Sequence, residues 1–96
     1  MELDYVRHFV RLAETENYLE AAEDLFIAQS SLSRHIKSLE KELGAPLFER
    51  TTRKVALSDF GKAFLPYARK MLEIQEECSR ELRGYLDSAA SVISVA

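Results

Sequence analysis

Apolar and polar residues in the first half of the chain alternate at the spacing of amphipathic helices. Residues 3–15 place apolar side chains every three or four positions, with charged side chains between them. A second apolar stripe, at i, i+4, i+7 and i+11, consists of Leu32, Ile36, Leu39 and Leu43. The pattern therefore predicts two helices, and Asn17 is the predicted N-cap of a shorter helix between them.

The connection between the short helix and the helix at 29–43 is brief, so the two must meet at a steep angle. Residues 26–28 are predicted to form the turn, and Ala21 and Ala22 give the short helix a small apolar face. Small side chains at a crossing point let two helices approach closely. The sequence thus predicts a helix-turn-helix, with Phe9 and Leu12 of the first helix packed beneath it.

The polar face of the helix at 29–43 carries side chains that suit DNA. Serine and glutamine can approach base edges closely, while arginine and lysine reach guanine edges or phosphates. These side chains crowd the first two turns, and glutamates follow later. The predicted DNA contacts of this helix are Gln29, Ser30, Ser31, Ser33, Arg34 and Lys37. The alternative is an ordinary amphipathic helix with a solvated face.

A β-hairpin is predicted next, because segments 47–50 and 54–57 are short and partly alternating. The basic residues at its tip are Arg50, Arg53 and Lys54. A basic tip can enter a minor groove or hold phosphate, and the alternative is a solvated turn on a structural hairpin. The predicted fold class is mainly α: a winged helix-turn-helix over residues 1–57, followed by a long dimerisation helix.

This long helix is predicted over residues 58–88, with Ser58 as its N-cap and Pro66 as a kink or a local break. About thirty residues at 1.5 Å each extend on the order of 45 Å, farther than the small domain needs. A second copy is therefore the expected partner, although the helix could instead fold back on its own domain. The predicted dimerisation residues are Phe64, Ala68, Met71, Gln75, Cys78, Leu82 and Tyr85. Residues 89–96 are predicted to be a hinge and the start of an absent domain.

The charge of the chain is divided unevenly along its length. The formal net charge is −3, which by itself disfavours nucleic acid. In residues 1–28, however, two bases oppose seven acids, giving −5, whereas in residues 29–54 six bases oppose three acids, giving +3. Because the local field decides where a polyanion docks, the basic segment remains the expected DNA-binding part.

Other chemistry is sparse. One cysteine and two histidines suit neither an internal disulfide nor a metal site, and no catalytic triad or phosphate-binding glycine loop is present. No enzyme activity, cofactor or metal is therefore expected, and His8 is predicted to lie on the surface. Without a signal peptide or a spanning apolar run, the chain is expected to be cytoplasmic, with no membrane contact.

The run of motifs resembles the N-terminal region of LysR-type transcriptional regulators. The resemblance rests on residues 3–9, on AAEDL at 21–25, on QSSLSRHIKSLE at 29–40, on LGAPLFER at 43–50 and on LSDFG at 57–61. It covers essentially residues 1–88 without a gap. A helix-turn-helix pattern alone would be weak evidence. The resemblance is specific because the predicted hairpin, which is the wing, follows in register with the rest of the run.

The resemblance implies a dimeric, often tetrameric, bacterial regulator that binds a partly palindromic promoter site in double-stranded DNA. It also implies a C-terminal domain that senses a small-molecule effector and that is missing here. Base contacts are implied at Gln29, Ser30, Ser33 and Arg34, with Lys37 beside them. Wing contacts to phosphate or minor groove are implied at Arg50 and Arg53.

The sequence departs from the family pattern at four positions. Leu19 and Ala28 replace a usual Ser or Thr that could cap a helix, so these helix starts are expected either to fray more or to be capped by Asn17 and Gln29. Thr52 replaces a common wing glycine. His35 replaces a frequent glutamine and is expected to be a peripheral contact or a polar neighbour.

The predicted function is sequence-specific DNA binding by a homodimer that regulates transcription. The alternative is a protein-interaction module that uses the same elements only to oligomerise. Steep salt dependence of duplex binding would distinguish the two, because counterion release accompanies phosphate contacts.

Overall fold

The computed structural model describes residues 1–50 and 54–95, except for the side chains of Arg50 and of residues 89–95. Its elements are α1 (Leu3–Thr15), α2 (Tyr18–Leu25), α3 (Gln29–Leu43), β1 (Phe48–Arg50), β2 (Val55–Leu57) and α4 (Asp59–Val95). β1 and β2 form an antiparallel pair. The prediction of a mainly α winged helix-turn-helix followed by a long helix is confirmed.

The core lies where α1, α2 and α3 meet the hairpin and the beginning of α4. Phe9 is completely buried at its centre, with its ring centroid 5.5 Å from that of Phe48 and 5.1 Å from that of Phe64. Ala21 and Ala22 are buried, as the helix-turn-helix prediction requires. The other buried apolar residues are Val6, Val10, Leu12, Leu32, Ile36, Leu39, Leu47 and Ala68.

Local capping fixes where the short helices begin and end. The Asn17 side-chain oxygen accepts a hydrogen bond from the Glu20 backbone N–H at 2.9 Å, which confirms Asn17 as the cap of α2. The C-cap residues have left-handed backbones: Phe26 follows α2 with φ of 57°, and Gly44 follows α3 with φ of 100°. Capping of α3 by Gln29 was wrong: Ala28 holds the N-cap position, without a side-chain hydrogen bond.

The hairpin is fastened to both helices beside it. The Leu47 N–H donates to a Glu40 carboxylate oxygen of α3 at 2.7 Å, and the Ser58 N–H donates to the Leu47 carbonyl at 3.0 Å. The Ser58 hydroxyl accepts from the Gly61 N–H at 3.0 Å, so Ser58 caps α4 as predicted. These bonds give the hairpin a defined position relative to α3.

α4 is longer than the sequence prediction. It passes through Pro66 without a break and continues beyond Ser88 to Val95. Since no glycine or proline follows Gly84 and two alanines follow Ser88, nothing in the sequence forces the helix to stop at 88. Within the described ranges, no helix is long and apolar enough to cross a membrane.

The predicted dimer seam, which is the row of dimerisation residues from Phe64 to Tyr85, falls into two parts: its beginning packs in the domain and its end is exposed. Ala68 has no exposed surface and belongs to the domain's own core, so its prediction as a dimer contact was wrong. Phe64 packs on Phe9, and Gln75 accepts a hydrogen bond from Arg7 of α1 at 3.2 Å. These positions belong to the domain because α1 packs against the beginning of α4. The later positions of the seam, Cys78, Leu82 and Tyr85, are exposed.

Candidate nucleic-acid interface

A groove of about 530 Å³ runs between the polar face of α3 and the hairpin. Its lining residues come from α2, α3 and both flanks of the hairpin: Tyr18, Gln29, Ser30, Ser33, Lys37, Glu40, Phe48, Glu49, Lys54 and Val55. Glu40, which lines the groove, connects α3 to the start of the hairpin by accepting the Leu47 N–H. The surface combines hydroxyl, amide and ammonium groups, which are the groups that hydrogen-bond bases and phosphates.

Five of the residues predicted to contact DNA meet in this groove. Gln29, Ser30 and Lys37 are exposed on α3, Ser33 is half-buried, and Lys54 faces them from the hairpin. Residues separated by four positions in a helix share a face, which places Gln29, Ser33 and Lys37 in one row. The chain therefore brings α3 and the hairpin to one groove, in which these polar side chains lie beside Phe48 and Val55.

Two other predicted residues lie outside the groove. The exposed Arg34 guanidinium donates from Nη2 to the Oγ of the half-buried Ser31 at 3.3 Å. Ser31 thus supports Arg34 one turn later on the helix. This pair extends the polar surface around α3, away from the hairpin.

The remaining two predicted contacts cannot be located on this surface. Arg53 lies outside the described residues, as does the side chain of Arg50, whose backbone pairs with Val55 in the hairpin. Their assignment continues to rest on the sequence.

The N-terminus of α3 lacks negative charge. The first turns of α1, α2 and α4 contain Asp4, Glu20 and Asp59, whereas the first turn of α3 contains no acid. A helix N-terminus carries unpaired N–H groups and a partial positive charge. Because α3 has neither an acid in its first turn nor a side-chain cap, this end of the helix is suited to a polyanion.

Two acidic side chains also line the groove, with different surroundings. The Glu40 carboxylate is half-buried and accepts the Leu47 N–H, so it holds the hairpin in place. Glu49 is exposed on β1. Tyr18, at the start of α2, was not predicted as a lining residue. Its position is set by the packing of α2 on α1 and α3, and nothing in its local sequence marks it.

The prediction that His8 lies on the surface was wrong. His8 is 9% exposed, and its Nδ1 lies 2.9 Å from Nδ1 of His35, so that α1 and α3 share a histidine–histidine hydrogen bond. The His35 ring also stacks on Tyr5, with centroids 4.2 Å apart. His35 as a polar neighbour agrees with this packing. Among the side chains described, no group of three or more His, Cys, Asp or Glu could hold a metal ion.

Residues 3–62 match the family described as bacterial regulatory helix-turn-helix proteins of the lysR family. This chain belongs to the LysR family. The match includes α1 to α3, the hairpin and the first residues of α4, and therefore both walls of the groove.

Named LysR-family relatives resemble the chain over nearly all of its length. The transcriptional regulator CitR of Bacillus subtilis is 39% identical and aligns with 98% of this chain. The transcriptional regulator BudR of Klebsiella aerogenes is 44% identical and aligns with 88% of this chain. The chain spans 34% of CitR and 59% of BudR, so it corresponds to a part of each relative.

Solved LysR-family structures share the fold. The CbnR DNA-binding domain in its complex with DNA has a TM-score of 0.83 at 34% identity, over 88% of this chain and 97% of that one. The BenM DNA-binding domain in its complex with catB site 1 DNA has a TM-score of 0.82 at 40% identity, over 86% of this chain and 93% of that one. Both relatives are bound to DNA in those structures.

Proposed function

We propose that this chain is the DNA-binding part of a LysR-type transcriptional regulator and that it binds double-stranded DNA sequence-specifically as a homodimer. The observation that carries the proposal is the groove, in which Gln29, Ser33, Lys37 and Lys54 converge from α3 and the hairpin. The DNA-bound CbnR and BenM domains, which have the same fold, support it.

In this proposal α3 is the recognition helix and its N-terminal half enters the major groove. Arg34 can bond both acceptors of a guanine edge, while Gln29 and the serines reach neighbouring bases. Lys37 and Lys54, which line the groove, are proposed to neutralise phosphates of the DNA backbone. Arg50 and Arg53 are proposed as further wing contacts, on the basis of the family resemblance.

Dimerisation is assigned to the exposed part of α4. Ile74, Leu82, Tyr85 and Leu86 are 63%, 55%, 70% and 69% exposed, respectively. Large apolar side chains along one helix favour burial against a second copy. We propose that residues 89–96 lead toward a C-terminal domain that binds a small-molecule effector and provides the contacts of a tetramer.

The proposed role is regulation in the cytoplasm, without enzymatic activity. The relatives named above are transcriptional regulators. The net charge of −3 favours one second candidate, a protein-interaction module that oligomerises without specific DNA binding. The two candidates differ in whether phosphate contacts form.

A salt series tests the proposal. Affinity is measured for a duplex selected from a random pool and for a scrambled duplex of the same composition, at several salt concentrations. DNA binding through several phosphates predicts that log K falls by about 0.9 per phosphate contact for each tenfold rise in salt, and that the selected duplex binds more tightly. Weak binding that salt does not alter, with equal affinity for both duplexes, would support the interaction module.

A further inference from the structure

The hydrogen bond between His8 of α1 and His35 of α3 forms only in certain protonation states of the two rings. Nδ1 of His8 and Nδ1 of His35 lie 2.9 Å apart, a hydrogen-bond distance, so one nitrogen must donate and the other accept. Two neutral rings satisfy this, and so does a pair with one added proton. A second added proton places an N–H on both facing nitrogens and two positive charges side by side, so the bond cannot form.

The surroundings of the pair resist that second proton. Burial, followed by the nearby His35 and by Arg7, lowers the pKa of His8, and Asp4 opposes this change. Other charged groups lie on the helices that pack against α1. Arg34 and Lys37 are close to His35 along α3, and Glu76 of α4 lines a groove with Arg7.

The pair lies where it can control the position of α3. His8 is in the core-facing row of α1, and His35 follows Arg34 directly and lies one turn after Ser31. The His35 ring stacks on Tyr5, with the two planes 13° apart, and its Nδ1 faces Nδ1 of the His8 ring, whose plane is 19° from its own. Functional side chains keep their geometry only when their supporting contacts are fixed.

We propose that the His8–His35 pair positions the recognition helix against α1, and that it does so only until a second proton enters the pair, so that acidification weakens DNA reading. The proposal rests on the proposed DNA-binding function. His8 and His35 are positioning residues here and need not touch DNA.

The direction of the pH effect follows from the lowered pKa of His8. Between the ordinary imidazole value of about 6.5 and the lowered value, an unbonded His8 binds more protons than a paired one. The pair's contribution to holding α3 against α1 is therefore complete above about pH 6.5 and is lost as the pH falls through the lowered pKa of His8.

The first measurement follows the imidazole protons by NMR between pH 8 and pH 5 without DNA. The chain has two histidines, so the His35→Gln and His8→Phe variants assign both signals. The proposal predicts two separate protonation steps in the wild type, the second below about pH 6.5, and one simple step in each variant. Wild-type rings that titrate independently at the same pH would overturn it.

The second measurement compares affinity at pH 8 and pH 5.5 for a duplex selected at pH 8. Below the second step, wild-type affinity is predicted to fall by about tenfold per pH unit beyond the change seen in His35→Gln, whose amide can still bond His8. His8→Phe serves as the second variant if His35→Gln does not fold. Equal pH dependence in wild type and variants would overturn the proposal, as would complete unfolding of the wild type at pH 5.5 by circular dichroism.

The two measurements separate this inference from the proposed function. If no duplex is bound specifically at pH 8, the DNA-binding proposal fails, and with it the effect on reading. The NMR titration still decides whether the pair shares a proton.

Discussion

At the scale of single residues, the polar face of α3 depends on how short side chains support longer ones. Arg34 is exposed, but its guanidinium bonds the half-buried Ser31 hydroxyl at 3.3 Å. A supported arginine loses less freedom when it binds a guanine edge, and its planar group offers two parallel donors. Lys54, on the hairpin side, offers a point charge for phosphate instead.

Replacement of Arg34 by alanine is expected to cost specificity. We predict a loss of about 1–3 kcal/mol in discrimination between the selected and the scrambled duplex, because a bidentate base contact disappears. Lys54→Ala is the matched control: it should weaken both duplexes by similar factors and reduce the salt slope by about one. Fluorescence anisotropy titrations check both; equal losses for the two duplexes on Arg34→Ala would exclude base reading by this residue.

Residue roles were predictable from the sequence where they depend on local spacing. The row of Gln29, Ser33 and Lys37 follows from helical periodicity, and their meeting in the groove agrees with it. The burial of His8 was not predictable, because its partner His35 is distant in sequence and polar neighbours suggested exposure. The position of Tyr18 was not predictable for the same reason, since it depends on how α2 packs on α1 and α3.

At the scale of elements, the junction of the hairpin with α4 holds the wing in place. Gly61 lies so close to Leu47 that an added Cβ would be 2.1 Å from the Leu47 carbonyl oxygen. The same carbonyl accepts the Ser58 N–H at 3.0 Å. Glycine is required here by close approach, and any side chain would push the hairpin away from α4.

The substitution Gly61→Ala is expected to destabilise the domain by about 1–3 kcal/mol, because an overpacked contact with backbone must be relieved. Gly84→Ala is a matched control, since its Cβ meets nothing within 4 Å and alanine favours helix by about 1 kcal/mol. Urea denaturation of both variants checks this. A Gly61→Ala variant as stable as the wild type would show that the junction can relax.

Element boundaries were predictable to the extent that local signals exist. α1 begins and ends as predicted, and the cap at Asn17 and the stop at Gly44 agree with their sequence signals. The end of α4 was not predicted, because small and β-branched residues after Ser88 suggest a linker and yet contain nothing that breaks a helix.

At the scale of the whole molecule, α4 extends far beyond the domain that it leaves. The longest dimension of the chain is 64 Å, against 25 and 19 Å for the other two. The beginning of α4 is covered by α1, whereas Ile74, Leu82 and Tyr85 have no apolar cover within the described residues. This division could not be predicted from the heptad-like seam alone, because the seam continues unchanged through both parts.

Charge placed on the exposed part of the seam is expected to dissociate the dimer. Leu82→Glu should produce monomers, because a carboxylate would have to be buried at the interface, while the helix-turn-helix remains folded. Arg80→Glu puts the same side chain on nearly the opposite side of α4 and should leave a dimer. Analytical ultracentrifugation distinguishes these; a dimeric Leu82→Glu variant would place the interface elsewhere.

The account depends most directly on whether two copies of α3 read DNA at a fixed separation. The decisive measurement is selection of bound sequences by the wild-type chain from a pool of random duplexes, followed by sequencing. The account predicts a consensus of two inverted half-sites with one preferred spacing, because a dimer presents two recognition helices related by symmetry. A bound pool with no consensus, or one with single half-sites at variable spacing, would contradict it.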